Sequence, residues 1–333
     1  MKSMRSVNEC FRFVALLKDC AKKKDLCKGI KLHEEVLERG LTENSSYISS
    51  ALIAMYMKCG DVGKAQKSFD ELSIQDTVSW NALISGYQQQ NYGYEALCCF
   101  DRMRNECILP NMITFLCVLK VCGQAKEIEK GKGIHIEVVR RRSLLELEKN
   151  VTLENTLVDM YAKCGILENA KQALEDIPIR DVVSWNVMIS GYVQHEHFHE
   201  ALTCFQLMQA EGLFPDSITF ICILKCSSNL GSIDIGEQIH HSISTMGLLE
   251  KDNIVLGTAV VDMYAKCGML AKAQELLEEL PIRDIVAWNA LIGGYIHHGQ
   301  GREALTSFEH MKCEGYSPNI VTFIFILKAC GII

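Results

Sequence analysis

Met160-Tyr161-Ala162-Lys163-Cys164-Gly165 is one of three near-copies in a chain of 333 residues. The others are Met55-Tyr56-Met57-Lys58-Cys59-Gly60 and Met263-Tyr264-Ala265-Lys266-Cys267-Gly268. Trp80-Asn81, Trp185-Asn186 and Trp288-Asn289 recur with the same spacing between copies. So do Ile84-Ser85-Gly86-Tyr87, Ile189-Ser190-Gly191-Tyr192 and Ile292-Gly293-Gly294-Tyr295. Self-similarity of this kind is the signature of a stacked array and takes precedence over any other reading.

Each large period divides into three shorter repeats, with the Asn of Trp-Asn set as the fifth residue. One class spans 77–111, 182–216 and 285–319. A short class spans 46–76, 151–181 and 254–284. A long class spans 10–45, 112–150 and 217–253, with a partial copy at 320–333 and an N-terminal extension at 1–9. Within 182–216, Trp185, Met188, Ile189 and Tyr192 lie at helical spacing, and so do Ala201, Leu202, Phe205 and Met208. The pattern predicts helices over 183–194 and 199–211, with Gly212 and Pro215 ending the repeat. No strand pattern competes. Two such helices cannot bury their apolar faces alone, but stacked neighbours can. The expected fold is all-α, a right-handed α-solenoid superhelix with one continuous core.

Composition narrows the function. Hydrophobic residues make up 48% of the chain, enough for a large core, so disorder is excluded. No run of about 18 uncharged apolar residues exists, so no membrane span is expected. The net charge of −7 argues against salt-driven, sequence-blind nucleic-acid binding. The 16 cysteines include no Cys-x-x-Cys and sit mostly in apolar helical patterns, where they read as small hydrophobes. Met1–Cys10 shows neither a secretory h-region nor an Arg/Ser-rich transit segment.

Trp-Asn-x-x-Ile-x-Gly-Tyr, Glu-Ala-Leu-x-x-Phe-x-x-Met (Glu95–Met103, Glu303–Met311) and the closing Pro-Asn/Asp resemble pentatricopeptide repeats. The alternation of repeat lengths is similar to the PLS subclass of land plants. Met-Tyr-x-Lys-Cys-Gly matches its short repeat and Leu-Lys-x-Cys-Gly (Leu119–Gly123, Leu327–Gly331) its long one. The resemblance covers about residues 10–333. Tetratricopeptide repeats, the nearest structural alternative, keep a 34-residue period that this chain lacks.

The resemblance implies sequence-specific binding of single-stranded RNA, one base per repeat. It also implies a mitochondrial or chloroplast location, and a role as the recognition part of a C-to-U editing factor. In such repeats the fifth and last residues select the base. Ser50 with Asp76 then implies G, and Asn81 with Asn111 a pyrimidine, C for preference. Asn155 with Asp181 and Asn186 with Asp216 imply U. Thr258 with Asp284 implies G, and Asn289 with Asn319 again a pyrimidine, C for preference. Val14, Leu116 and Ile221 in the long repeats cannot hydrogen-bond a base edge. The expected target is 5′-G-Y-n-U-U-n-G-Y-3′.

The residues themselves agree with such a track. Thr152, Asn155, Asp159 and Lys163 share one helical stripe, as do Val183, Asn186, Ser190 and Gln194. Asn amides offer both donor and acceptor to a base. Val78, Val183, Val255 and Val286 can press on base faces. Lys58, Lys163 and Lys266, at equal places in the short repeats, are candidate phosphate contacts, with Lys22 at the matching place in the first long repeat. The alternative for each is a helix end complementing the dipole.

Other constellations carry less. His195-Glu196-His197-Phe198-His199 fits His-Glu-x-x-His, but falls where neighbouring repeats have a turn, so no metal site is expected. Arg140-Arg141-Arg142 reads as helical surface. The three Trp share the phase of Ile and Tyr and read as core. A nucleobase deaminase needs a Pro-Cys-x-x-Cys, which this chain lacks, so no enzyme activity and no cofactor are expected. Editing chemistry would come from a further domain or a partner. The subclass also implies docking of multiple organellar RNA editing factor proteins on the long repeats, and no small-molecule substrate. The competing readings are RNA stabilisation or splicing, and a protein-interaction scaffold.

Overall fold

The computed structural model describes residues 2–41, 46–145, 150–249 and 253–333; Lys2–Asn8, Ser46 and Arg142–Leu145 enter as backbone only. The described residues hold nineteen helices and no strand. The chain divides into two compact halves, Met1–Pro178 and Ile179–Ile333.

The first half contains α1 (Lys2–Lys23), α2 (Leu26–Glu38), α3 (Ser46–Lys58), α4 (Val62–Asp70) and α5 (Thr77–Gln89). It continues with α6 (Gly93–Asn105), α7 (Met112–Ala125), α8 (Ile128–Leu145), α9 (Val151–Lys163) and α10 (Leu167–Glu175). The second half contains α11 (Val182–Gln194), α12 (Phe198–Ala210), α13 (Ser217–Leu230), α14 (Ile233–Thr245) and α15 (Ile254–Lys266). It ends with α16 (Leu270–Glu279), α17 (Ile285–His297), α18 (Gly301–Cys313) and α19 (Ile320–Ile332). Helix α1 runs through the segment 2–9 that the repeat spacing leaves outside the array.

Within each half the odd-numbered helices pack side by side, and each even-numbered helix packs on odd-numbered neighbours but on no other even one. Each half is therefore an α-solenoid of two layers, with the odd helices forming the mutually packed inner layer.

Backbone chemistry sets the register. The first N–H groups of a helix have no partner within it, and an Asp or Asn just before the helix supplies one, worth about 1 kcal/mol. Asp76, Asn111, Asn150, Asp181, Asp216, Asn253, Asp284 and Asn319 each cap the helix that follows. These are the last residues of the repeats read from the spacing.

The Met-Tyr-x-Lys-Cys-Gly hexapeptide does three things at once. Gly60, Gly165 and Gly268 take φ of +85°, +80° and +84°, left-handed values that stop α3, α9 and α15 and that favour glycine. Tyr56, Tyr161 and Tyr264 share hydrogen bonds of 2.8, 2.9 and 3.0 Å with Nδ1 of His33, His135 and His240 on the preceding helix. Met55, Met160 and Met263 lie against Gly29, Gly131 and Gly236, one turn before those histidines, where an added Cβ would come within 2.4, 2.6 and 2.2 Å of the sulfur. A Gly-x-x-x-His on the long repeat thus locks onto the Met-Tyr of the short repeat behind it, three times.

Trp80, Trp185 and Trp288 are buried, as their helical phase predicts. Trp185 Nε1 donates to Glu211 Oε2 at 2.9 Å, and the Arg180 guanidinium lies over its ring while pairing with Glu211. The cysteines behave less uniformly than their apolar patterns suggest. Cys20, Cys99, Cys122, Cys204 and Cys226 are buried, but Cys27, Cys107, Cys313 and Cys330 are exposed. Burial pushes the thiols of Cys99, Cys122 and Cys226 up to about 12, which keeps them protonated and inert. No described helix is long and apolar enough to cross a membrane.

The His–Tyr locks predict a pH dependence. Burial depresses the folded-state pKa of His33 and His240 below the ordinary 6.5. The unfolded chain then binds more protons, so the stability is fully present above about pH 6.5 and is lost as the pH falls below it. Urea midpoints from pH 7.5 to 5.5 should fall, and the fall should shrink in a His33→Asn/His240→Asn double variant.

Candidate nucleic-acid interface

The inner layer brings three of the expected residue pairs together directly. Asn81 Nδ2 donates to Asn111 Oδ1 at 3.0 Å, Asn186 Nδ2 to Asp216 Oδ1 at 2.9 Å, and Asn289 Nδ2 to Asn319 Oδ1 at 3.3 Å. The members of each pair are 30 residues apart. The fifth-position amides are not open to solvent as the stripe suggests, being only 6–7% exposed.

A third residue explains that burial. Thr114, Thr219 and Thr322 are fully buried and donate from Oγ1 to Asn81, Asn186 and Asn289 Oδ1 at 2.6, 2.6 and 2.8 Å. The same hydroxyls accept the N–H of Asn111, Asp216 and Asn319 at 3.1–3.2 Å, closing capping boxes. Each fifth Asn therefore has its oxygen and one N–H engaged by protein. One N–H remains, beside whatever the last residue leaves free. Oδ1 of that last residue is occupied by the cap, which leaves the NH₂ of Asn111 and Asn319 and Oδ2 of Asp216 outside these bonds. These threonines were not among the residues the spacing nominates. Their signal is Asn/Asp-x-x-Thr-Phe at 111–115, 216–220 and 319–323.

The other pairs differ. Ser50 Oγ donates to the Tyr47 carbonyl in its own helix at 3.1 Å, while Asp76 caps α5 through Ser79. Thr258 Oγ1 is buried without a hydrogen bond, and Asp284 caps α17 through Ala287. A hydroxyl ends one bond beyond Cβ, whereas an amide reaches further, so the short side chains stay within their helix. Asn155 is buried on α9, and Asp181 caps α11 in the other half.

Val78, Val183, Val255 and Val286 are all exposed. The row they belong to is longer than the spacing argument allowed. Three residues before the fifth position stand Phe11, Tyr47, Ile113, Ile218 and Val321, also exposed. An apolar residue recurring there in long repeats was the available signal. In the second half an open cleft of 620 Å³ collects Thr258, Val255, Val286, Asn289, Val321 and Lys328 on one wall system.

The nominated lysines are not equivalent. Lys163 pairs with Asp159 at 2.6 Å and Lys266 with Asp262 at 2.8 Å, each one turn back on the same helix. Lys58 is exposed and has Ala54 at the matching position. Arg141 is held by Glu137 at 2.6 Å and donates to the Pro110 carbonyl at 2.9 Å. The side chain of Arg142 lies outside the described residues. The His-Glu-x-x-His match spans the turn between α11 and α12, with Glu196 at φ +63°, so its end histidines do not share a continuous helix.

Sequence comparison places the chain among known proteins. A profile described as PPR repeat family matches residues 75–124, 180–229 and 283–331. One described as PPR repeat matches 47–73 and 258–285, so together they cover more than half the chain. The chain belongs to the pentatricopeptide repeat family. Among its relatives is a pentatricopeptide repeat-containing protein of Arabidopsis thaliana, 38% identical over 97% of this chain and 56% of that protein. Two others from the same plant, named chloroplastic and mitochondrial, are both 34% identical over 96% of this chain, covering 51% and 46% of their own lengths. The chain thus spans about half the length of such relatives. The fold resembles that of the pentatricopeptide repeat protein PPR10 solved with an 18-nucleotide psaJ RNA element. The TM-score is 0.73 at 21% identity, over 91% of this chain and 45% of that one.

The triad makes a stability prediction. Thr219→Val keeps the shape and removes the hydroxyl, leaving the buried Asn186 Oδ1 without its donor. The loss should be about 1–3 kcal/mol, read from urea unfolding. No loss would mean the triad is not formed in solution.

Proposed function

We propose that this chain is the base-reading part of a sequence-specific single-stranded RNA-binding protein. The observation that carries this is the Asn–Thr–Asx triad. It holds the fifth and last residues of a repeat rigid and leaves them different outward atoms. Asn186 with Asp216 presents one N–H donor and one carboxylate acceptor. Uracil offers a carbonyl oxygen and the N3–H donor, the complementary set. Asn81 with Asn111 and Asn289 with Asn319 present donors only. Cytosine offers its O2 and its unprotonated N3, both acceptors. The exposed apolar residue three positions earlier supplies a surface for the base face.

The proposed address remains 5′-G-Y-n-U-U-n-G-Y-3′, with Ser50/Asp76 and Thr258/Asp284 assigned to G by resemblance. The PLS pattern of repeat lengths supports a role in an organellar C-to-U editing factor. The chloroplastic and mitochondrial names of its relatives support an organellar setting. The long repeats are then the docking sites for multiple organellar RNA editing factor proteins. Catalysis is assigned elsewhere, to a further domain or a partner.

One observation favours the scaffold reading as the second choice. Ile74, Leu109, Ile179, Phe214 and Ile282, each two residues before a capping Asx, are exposed apolar side chains that base reading does not use.

Base switching separates the two. In gel shifts on the predicted octamer and its single-base variants, Asp216→Asn should reverse the preference at the fifth base from U to C by about tenfold, one to two hydrogen bonds' worth. Asn186→Thr should move the same position towards G. Equal, weak binding of every RNA by the wild type would favour the scaffold.

A further inference from the structure

The long repeats have an apolar fifth residue and so read no base, yet each carries a cation in a fixed place. Lys120 is the only charged residue on α7, Lys225 the only one on α13 and Lys328 the only one on α19. Each lies four residues beyond the fifth position, at Leu116, Ile221 and Ile324, and seven beyond the exposed Ile113, Ile218 and Val321. At spacings of three and four the three positions form a single stripe on the inner-layer helix. All three lysines are exposed, and none has an ion pair among the described residues. Lys18 holds the same place on α1 and is likewise exposed.

Ordinary reasons for a surface lysine do not apply. None of the three lies in the last turn of its helix, so the helix dipole does not call for it. No acid on the same helix pairs with it. The acids at the equivalent place in the following short repeats, Asp159 and Asp262, are taken by Lys163 and Lys266 one turn on. The second and third short repeats therefore present a neutral Asp–Lys pair at this level, the first has Ala54 there, and the long repeats present an uncompensated positive charge. In the second half Lys328 lines the same cleft as Asn289, Thr258 and Val286, so this cation and the base-selecting residues face one space.

We propose that Lys120, Lys225 and Lys328, with Lys18, are the phosphodiester contacts of the array. The long repeats grip the RNA backbone, and the repeats between them read bases. A phosphate meeting one of these lysines displaces no internal partner, whereas one meeting Lys163 or Lys266 must first break an ion pair. This inference rests on the RNA-binding reading of the preceding section.

The test is the salt dependence of binding to the predicted octamer extended with flanking nucleotides. A Lys120→Gln/Lys225→Gln/Lys328→Gln variant keeps most of each side-chain stem and removes the charge. The slope of log K against log salt should become shallower by about 0.7 per lysine. Affinity should fall by the same factor for the U, C and G variants of the target. Lys31→Gln/Lys171→Gln, exposed lysines on α2 and α10, serves as the control and should leave the slope unchanged. Circular dichroism confirms folding, and single Lys225→Gln should show about a third of the effect if the triple variant is unstable. An unchanged slope with intact wild-type binding overturns this inference alone, and so does a change confined to one base identity. A wild type that binds no RNA overturns both it and the function on which it rests.

Discussion

One side-chain oxygen at the end of each repeat carries much of this structure. The backbone of the next helix opens with N–H groups that have no partner, and an Asp or Asn Oδ1 accepts one of them. That bond fixes where each helix starts and how its predecessor joins it. It also holds the side chain still and leaves its second polar atom outside the cap. The same residue is thereby a structural cap through one atom and a recognition group through the other. Asp and Asn cap almost equally well, so the choice between them is free to encode something else.

The second constraint is close approach. The long and short repeats are pressed together where Gly29, Gly131 and Gly236 admit a methionine and the neighbouring histidine meets a tyrosine. Each lock is partly buried, and burial disfavours the charged form of His33 and His240. The lock specifies which helix face meets which, and that in turn sets the phase of the stripe on the inner layer. Charge is then distributed by repeat class. Two of the short repeats neutralise their lysines, Lys163 and Lys266, while Lys58 has Ala54 in place of the aspartate, and the long repeats leave Lys120, Lys225 and Lys328 open. A net charge of −7 is compatible with this, because α7, α13 and α19 carry no acid beside Lys120, Lys225 and Lys328.

Much of the fold was legible in the sequence because it follows from local chemistry. Helical periodicity places α11 and α12 within a residue of where they are found, since the spacing of Trp185, Met188, Ile189 and Tyr192 admits no other regular structure. The buried Trp follow from the same phase argument, and the turn within His195–His199 from its alignment with the turns of neighbouring repeats. The site was legible only in outline. Asn81, Asn186 and Asn289 were identifiable as a repeated polar position, and their partners as repeat ends. Ser50 was identified in the same way, but its hydroxyl is too short to leave its own helix and bonds Tyr47 instead.

The sequence by itself determined the repeat period, the helix pairs, the caps and the core, all of which depend on neighbours within a few residues or on simple periodicity. Only the tertiary structure decided which atoms remain available for a ligand. Thr219 lies 33 residues from Asn186, and whether its hydroxyl reaches that amide depends on the spacing of two packed helices rather than on any local pattern. The lysines are the opposite case, because their pairing is local to one helix. Lys163 and Lys225 are equally basic as letters, and they differ because one has an aspartate on its own helix face and the other has no acid on its helix at all.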